Sequence, residues 1–146
     1  MNIETTRFGR LSINSEDTIR FPLGLVGFED SHDWIILADN QDESLGWLQS
    51  TVQADLAFAV VSPRRYVPGY RVRVSGDQAE TLCLEACQQT YVLVIVSQYA
   101  DELSVNLRAP ILINLTERIG RQVITTDEQP LQHPIVTHSA PLRKSA

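Results

Sequence analysis

Short runs rich in Ile, Val, Phe, Tyr and Thr recur along the chain, and Gly, Pro, Asn and Asp separate them. This alternation is typical of antiparallel β proteins, in which turn-forming residues punctuate short strands. Helical spacing of the apolar positions is scarce, so the pattern predicts an all-β protein. The predicted strands are residues 3–8, 11–13, 18–21, 34–37, 47–51, 57–61, 70–74, 91–97, 103–106, 111–115 and 122–125.

Two of these runs, residues 56–61 and 91–96, are apolar at every position. A strand without a polar face must be covered on both sides, so both runs are predicted to be central strands. Residues 70–74 and 111–115 alternate in part between apolar and polar side chains. That alternation predicts one buried face and one wetter face, as in strands that wrap a small barrel or sandwich.

One short helix is predicted near residue 80. Asp77 precedes Glu80 by three positions, which matches an aspartate N-cap whose first turn ends in a glutamate that reaches back to it. Gly76 interrupts the chain just before this pattern. The helix is predicted to span about 78–83.

The chain is predicted to form one domain, because 146 residues with 43% hydrophobic side chains can bury a core. The prolines and sparse apolar residues after Thr126 divide it into a β domain over 1–126 and a Pro-containing, flexible tail over 127–146. The longest apolar run is far shorter than the roughly 20 residues that cross a bilayer, and the N-terminus lacks a signal-peptide core. A cytoplasmic protein without a membrane partner is therefore expected.

The net charge of the chain favours some classes of binding partner and disfavours others. A formal charge of −6 and a pI near 4.9 disfavour direct nucleic-acid binding, which depends on lysines and arginines that displace counterions from phosphate. The same charge would help attract a basic protein, within a screening distance of about 8 Å at physiological salt. Taken alone, the simplest interpretation of the charge is solubility.

No metal or cofactor is expected. Cys83 and Cys87 are separated by three residues, which fits neither a redox pair nor a zinc half-site with a second half. Hydrolase, nucleotide-binding and zinc-protease motifs are missing from the sequence. A site assembled in space could still use the carboxylates Asp55, Glu85 or Asp101, but carboxylates in turns and at strand ends are usually solvated. A protein without enzymatic activity is expected, with a ligand-holding β-barrel and a hydrolase as open alternatives.

The stretch 21–28 combines one proline, two glycines three apart and several large apolar residues, and it runs directly into Glu29 and Asp30. A tight turn is predicted here. A phosphate-binding loop would open a helix, whereas a strand-like run follows this stretch. We expect its apolar side chains to close one end of a barrel.

Three amide side chains lie in or beside apolar strand segments: Gln49, Asn106 and Asn114. An amide buried there without partners costs about 1–3 kcal/mol, so these residues are either structural pins or recognition groups. Pro110 cannot donate to a β-ladder, which predicts a strand break or a sheet edge. Trp47 fits a core position better than a binding anchor, although tryptophan serves both roles.

Four segments together resemble the FliW family of flagellar assembly factors. They are FPLGLVGFED at 21–30, LGWLQS at 45–50, LAFAVVSP at 56–63 and LSVNLRAPILINLTERIGRQVI at 103–124. The order and spacing match over nearly the whole chain before the tail. The loop at 64–70 and the segment around 83–87 depart from the family pattern, so no contact is transferred to either.

The resemblance implies a compact antiparallel β-barrel-like fold with no enzymatic activity. It also implies two protein partners in the cytosol, flagellin and the RNA-binding translational repressor CsrA, so that flagellin translation is coupled to flagellin secretion. The motif residues expected to matter for folding or for binding are Phe28, Trp47, Gln49, Asn106, Arg108, Pro110 and Asn114.

Overall fold

The computed structural model describes residues 1–72, 75–82, 90–99, 101–125, 129–131 and 133–134. Strands dominate it, and one short α-helix is present among the described residues. The strands are β1 (Asn2–Thr5), β2 (Gly9–Ser12), β3 (Ile19–Arg20), β4 (Asp33–Ala38), β5 (Leu45–Ser50), β6 (Ala57–Val61), β7 (Thr90–Tyr99), β8 (Glu102–Val105), β9 (Ile111–Asn114), β10 (Ile119–Gln122) and β11 (His133–Pro134). The helix α1 covers Gly76–Thr81.

The main sheet curls back on itself. Its pairings run from β7 through β6, β5, β4, β3 and β10 to β9, and β9 pairs again with β7. All of these pairings are antiparallel except the short link between β3 and β10, which is parallel. The predicted all-β, barrel-like fold is confirmed, with this one parallel link as a departure.

Large apolar side chains fill the interior of the barrel. The central cluster consists of Ile19, Phe21, Leu25, Trp34, Leu48, Val60, Ile111 and Ile113, each at most 2% exposed. Such close filling follows from the two-residue period of strands, which points every second side chain inward. The alternative of a ligand held inside the barrel stays a hypothesis.

The long strand β7 joins the barrel to a second layer of pairing. Its first half pairs with β9, and its second half pairs with β8. Because β8 and β9 follow each other in the chain and contact the same strand, residues 106–110 form a turn that interrupts one long strand. The predicted break at Pro110 is confirmed by this turn. The apolar run at 91–96 is central, as predicted, and β6 is also flanked on both sides.

Described residues of the predicted tail contact the sheet. His133 lies opposite Val105 in an antiparallel pairing of β11 with β8. The carbonyl of Pro130 accepts a 3.1 Å hydrogen bond from the Leu107 amide. The division into a domain over 1–126 and a tail over 127–146 itself stays a prediction.

Four local predictions are wrong. The run 111–115 has no wetter face, because β9 is buried at all four of its positions. Residues 70–72 form no strand, and residues 73–74 lie outside the described part. The strand predicted at 122–125 lies earlier, at Ile119–Gln122. The helix begins at Gly76 because Ser75, rather than Asp77, is its N-cap: the Ser75 hydroxyl accepts from the Gln78 amide, and the Gln78 side chain accepts from the Ser75 amide. Cys83 and Cys87 lie outside the described residues.

Candidate protein-binding surface

The loop between β3 and β4 has a defined backbone. Gly24 and Gly27 adopt φ angles of 66° and 88°, a region that side-chain-bearing residues rarely enter. The amide of Phe28 donates to the Leu25 carbonyl at 2.7 Å, and the amide of Leu25 donates back at 3.3 Å. A Cβ on Gly24 would lie 2.5 Å from the Phe28 carbonyl oxygen. The glycines therefore permit a turn that no other residue type fits at Gly24.

The β3–β4 loop places some of its apolar side chains in the core and leaves others exposed to solvent. Phe21 and Leu25 are 0% and 1% exposed and belong to the barrel core. Leu23, Val26 and Phe28 are 54%, 62% and 39% exposed. We call these three exposed side chains the loop patch. The prediction that the apolar groups of this stretch close one end of the barrel is wrong for the loop patch, because the turn directs these side chains outward.

The loop patch rests on the barrel through Phe28. The Phe28 ring meets the Phe58 ring edge to face, with centroids 5.3 Å apart. Phe58 in turn packs against Trp34 of the core. The ring of Phe28 is thus fixed on one side while part of it stays in contact with solvent, which is the arrangement of an anchor residue at a protein interface.

Gln122 ties the loop to the turn at 106–110. Its Oε1 accepts a 2.9 Å hydrogen bond from the Val26 amide, and its Nε2 donates to the Ala109 carbonyl at 3.0 Å. Sequence analysis did not single out Gln122. The signal was available, because an amide beside the apolar residue Val123 in a predicted strand is the same pattern that drew attention to Gln49.

The turn at 106–110 is shaped by its own side chains. Asn106 Oδ1 accepts from the amides of Arg108 and Ala109, both at 3.1 Å. Arg108 is exposed and donates from Nε to the Gln129 carbonyl at 3.1 Å. Pro110 is buried, and its carbonyl accepts from the Val123 amide at 3.0 Å. Asn106 and Pro110 therefore build the turn, whereas Arg108 lies at its surface.

Gln49 holds the loop that follows β5. It is fully buried, and its Nε2 donates to the carbonyls of Ser50 and Leu56 at 2.9 and 3.2 Å. On that loop, Gln53 Oε1 accepts from the Ser31 hydroxyl at 3.3 Å, which joins the loop to the end of the β3–β4 loop. Gln49 Oε1 has no hydrogen-bond partner among the residues that the structure describes. Through the loop after β5, the buried Gln49 helps to hold the end of the β3–β4 loop, which carries the loop patch.

Asn114 and Trp47 lie elsewhere. Asn114 is fully buried, donates to the Leu82 carbonyl at 3.0 Å and accepts from the amides of Thr116 and Glu117. Trp47 is 8% exposed and packs with Phe8. Of the seven predicted residues, Asn106, Arg108 and Pro110 share one turn, which Gln122 links to the β3–β4 loop that carries Phe28. The others, Gln49, Asn114 and Trp47, lie apart from that turn, and their roles in binding stay predictions.

Trp47 also belongs to a small polar cluster. The Arg7 guanidinium lies 3.8 Å from the centre of the Trp47 ring, and the indole Nε1 donates to Asp39 Oδ1 at 3.0 Å. The Trp47 hydrogen bond lowers the pKa of Asp39, helped by the amides of Gln41 and Asp42 and by the charge of Arg7, while burial opposes the shift. The charged form of Asp39 is therefore favoured in the folded protein.

The surroundings of the loop patch are acidic. Glu29 and Asp30 follow Phe28 directly, and both are exposed. The ion pairs among the described residues are Arg10 with Glu4 and Arg20 with Asp33, so neither Glu29 nor Asp30 has a cation within 4.0 Å in that part of the chain. The surface therefore combines apolar side chains with two unpaired carboxylates.

The described residues contain neither a metal-binding cluster nor a membrane-spanning helix. No group of three or more His, Cys, Asp and Glu side chains there could hold a metal ion. No helix in the same residues is long and apolar enough to span a membrane.

Comparison with known proteins gives one answer. The family model described as FliW protein matches residues 2–135. The flagellar assembly factor FliW of Thermoanaerobacter pseudethanolicus is 35% identical over 140 residues, covering 93% of each chain. FliW of Desulfitobacterium hafniense is 39% identical over 126 residues, covering 85% of this chain and 83% of that protein.

A solved structure agrees with the sequence relatives. The crystal structure of a flagellar assembly factor FliW superposes with a TM-score of 0.85 at 30% identity, covering 92% of this chain and 96% of that chain. The match extends beyond residue 126 into the predicted tail, as does the family model. The chain therefore belongs to the FliW family of flagellar assembly factors.

Proposed function

We propose that the chain acts in the cytosol as a non-enzymatic regulator that binds flagellin and antagonises a CsrA-type translational repressor. The observation that carries the proposal is the loop patch: three exposed apolar side chains within six residues of one loop, two of them on its hydrogen-bonded turn, in a member of this family. Single exposed apolar residues are normal on protein surfaces, but a grouped and fixed set is a feature of interaction sites.

Exchange between two partners accounts for the regulation. When flagellin is abundant in the cytosol, it occupies the chain and leaves the repressor free to act on messenger RNA. When flagellin is exported, the chain binds the repressor and translation resumes. Mutually exclusive occupancy needs only competing affinities for one protein, so no chemical step is involved.

The negative charge supports this role. A net charge of −6 placed next to a repressor would repel the phosphates of messenger RNA. Direct contact of the chain with RNA is not needed for this effect.

Titration calorimetry tests the proposal. The purified chain is titrated with the organism's own flagellin, with its own CsrA-type protein and with an unrelated basic protein as the control. Saturable binding of both partners at micromolar affinity or tighter is expected, with no specific heat from the control. Absence of binding to both partners would refute the proposed function.

An RNA-displacement measurement tests the regulatory step. A labelled leader RNA bound to the repressor should be released when the chain is added, and flagellin added in excess should restore the repressor–RNA complex. Release of RNA that flagellin does not reverse would contradict exchange between the two partners.

A further inference from the structure

We infer that the loop patch and its acidic border form a docking site for a partner segment that presents apolar side chains next to lysine or arginine. The inference rests on the proposed function, because it assigns a place and a chemistry to the protein binding proposed above. It starts from three features of the described residues: exposure, fixed geometry and charge.

Exposure makes the loop patch available. Val26 is 62% exposed and Leu23 is 54% exposed, although both belong to a run in which Phe21 and Leu25 are fully buried. Covering such side chains gains free energy, because apolar area is removed from water. A partner with matching apolar side chains would obtain that gain without any rearrangement of the core.

Fixed geometry lowers the cost of docking. The turn is closed by the hydrogen bonds between Leu25 and Phe28, and its outer part is held by the bond from the Val26 amide to Gln122. Phe28 is also packed on Phe58. Because little of this surface has to be ordered on binding, less conformational entropy is lost than for a mobile loop.

Charge selects the kind of partner. Residues 21–33 contain Glu29, Asp30 and Asp33 but no lysine or arginine. Among the described residues, only Asp33 of these three has a cation near it, Arg20 at 4.0 Å. Two unpaired carboxylates beside an apolar surface favour a lysine or arginine next to the partner's apolar side chains. They also disfavour a second copy of this chain, because a symmetric dimer through the loop patch would bring the same carboxylates of both copies together.

Two designed peptides test this chemistry directly. One is a 15-residue amphipathic peptide of leucine and lysine, and the other has the same leucines with glutamate in place of every lysine. Each is titrated into the isotope-labelled full chain, and backbone amide shifts are recorded by NMR. The lysine peptide should shift the amides of Val26, Phe28 and Asp30, and the glutamate peptide should leave them in place. Equal shifts with both peptides, or shifts confined to other surfaces, would overturn the inference.

Paired variants extend the test to the natural partners. Val26→Ser is expected to weaken binding of at least one of the two partners about tenfold, as truncation of an interface anchor does. Its control is Ile36→Ser, which removes a 38% exposed side chain from β4.

The double variant E29Q/D30N should weaken binding about threefold at low salt and much less at high salt.

The control for the acidic pair is D42N/E43Q, which removes an adjacent carboxylate pair from the β4–β5 hairpin. The hairpin lies beyond the last residue of β4, and the loop patch lies before its first residue. Because β4 is six residues long, the two sites are roughly 17 Å apart along the strand. Partner affinity unchanged in both test variants would overturn the docking site while leaving the proposed function intact. Peptide binding at the loop patch without binding of either natural partner would refute the proposed function and support the docking chemistry.

Discussion

Single residues fix the closest contacts of this barrel. Gly120 in β10 lies against the buried ring of Phe21, and a Cβ built on it would come within 2.4 Å of the Phe21 Cζ atom. Gly46 in β5 also lies in a strand of the barrel, yet its nearest neighbour would be an ordinary 3.5 Å away from the Cβ. Two strand glycines that look alike in sequence therefore have different structural roles.

Gly120→Ala is expected to destabilise the protein. The added methyl group would have to displace an aromatic ring that is 0% exposed, and overpacking of this kind costs about 1–3 kcal/mol. Urea unfolding followed by tryptophan fluorescence measures the loss, since Trp34 and Trp47 are both buried. The matched variant Gly46→Ala should change the free energy of unfolding by about 0.5 kcal/mol or less. Equal effects of both variants would contradict the assigned contact.

Asp39 is expected to make stability depend on pH. Its pKa is lowered from 3.8 in the folded protein, so its stabilising contribution is fully present above the unfolded value of about 3.9 and is lost as the pH falls through the lowered folded value. Asp39→Asn should therefore be less stable than the unmodified chain at pH 6, with the difference shrinking below about pH 4. Urea unfolding at both pH values measures this difference.

The control for Asp39 is Glu43→Gln on the same hairpin, an exposed side chain with no hydrogen bond to a described residue. The control should differ little from the unmodified chain at pH 6. A difference between Asp39→Asn and the unmodified chain that stays constant from pH 6 to pH 3 would contradict the role assigned to the Trp47–Asp39 hydrogen bond.

At the scale of elements, loops are joined by side chains that belong to strands. Gln122 at the end of β10 connects the β3–β4 loop with the turn at 106–110, and Gln49 in β5 supports the loop at 51–56. Asn114 at the end of β9 reaches the carbonyl of Leu82 just after α1. Amide side chains suit this task because each offers a donor and an acceptor to the backbone groups that strands leave unpaired at their ends.

Gln122→Ala is expected to lower the free energy of unfolding by about 1–2 kcal/mol, because two hydrogen bonds to the backbone are lost. It should also raise hydrogen exchange at the Val26 amide, which loses its acceptor. The control is Gln98→Ala, an exposed residue of β7. Unchanged exchange at Val26 in the Gln122 variant would show that the loop is held by other contacts.

At the scale of the whole molecule, the chain carries a net negative charge. The formal net charge is −6, and it will act on any charged partner within a few Debye lengths. Long-range attraction speeds the encounter of oppositely charged proteins more than it slows their dissociation.

Partner association is therefore expected to depend on salt. Raising the salt from about 50 mM to about 500 mM should lower the association rate constant of the proposed partner, a CsrA-type repressor, at least severalfold, with a smaller change in its dissociation rate constant. Stopped-flow fluorescence measures both constants. An uncharged sugar at matched viscosity is the control, and an association rate that is indifferent to salt would contradict electrostatic steering.

Most strands of the fold could be predicted from the sequence because the signals for a strand are local. Apolar alternation and turn residues depend only on neighbouring positions, so the strands at β4, β5, β6, β7 and β9 lie close to their predicted places. Helix α1 was misplaced because Ser75 and Asp77 are both acceptable N-caps in sequence, and only the hydrogen bond to the Gln78 amide distinguishes them. The parallel link of β3 with β10 joins distant residues and has no local signal.

The sequence by itself determined an all-β protein, the two central strands and the segments that carry the family resemblance. These properties depend only on the order of residue types along the chain. Tertiary structure alone decided which apolar residues of the stretch 21–28 face solvent. Backbone rotation at Gly24 and Gly27 sends Leu25 inward and Val26 outward, and a partner 96 positions away in the chain, Gln122, holds the result in place. Contacts between distant residues depend on how the chain closes, so no local pattern could have specified them.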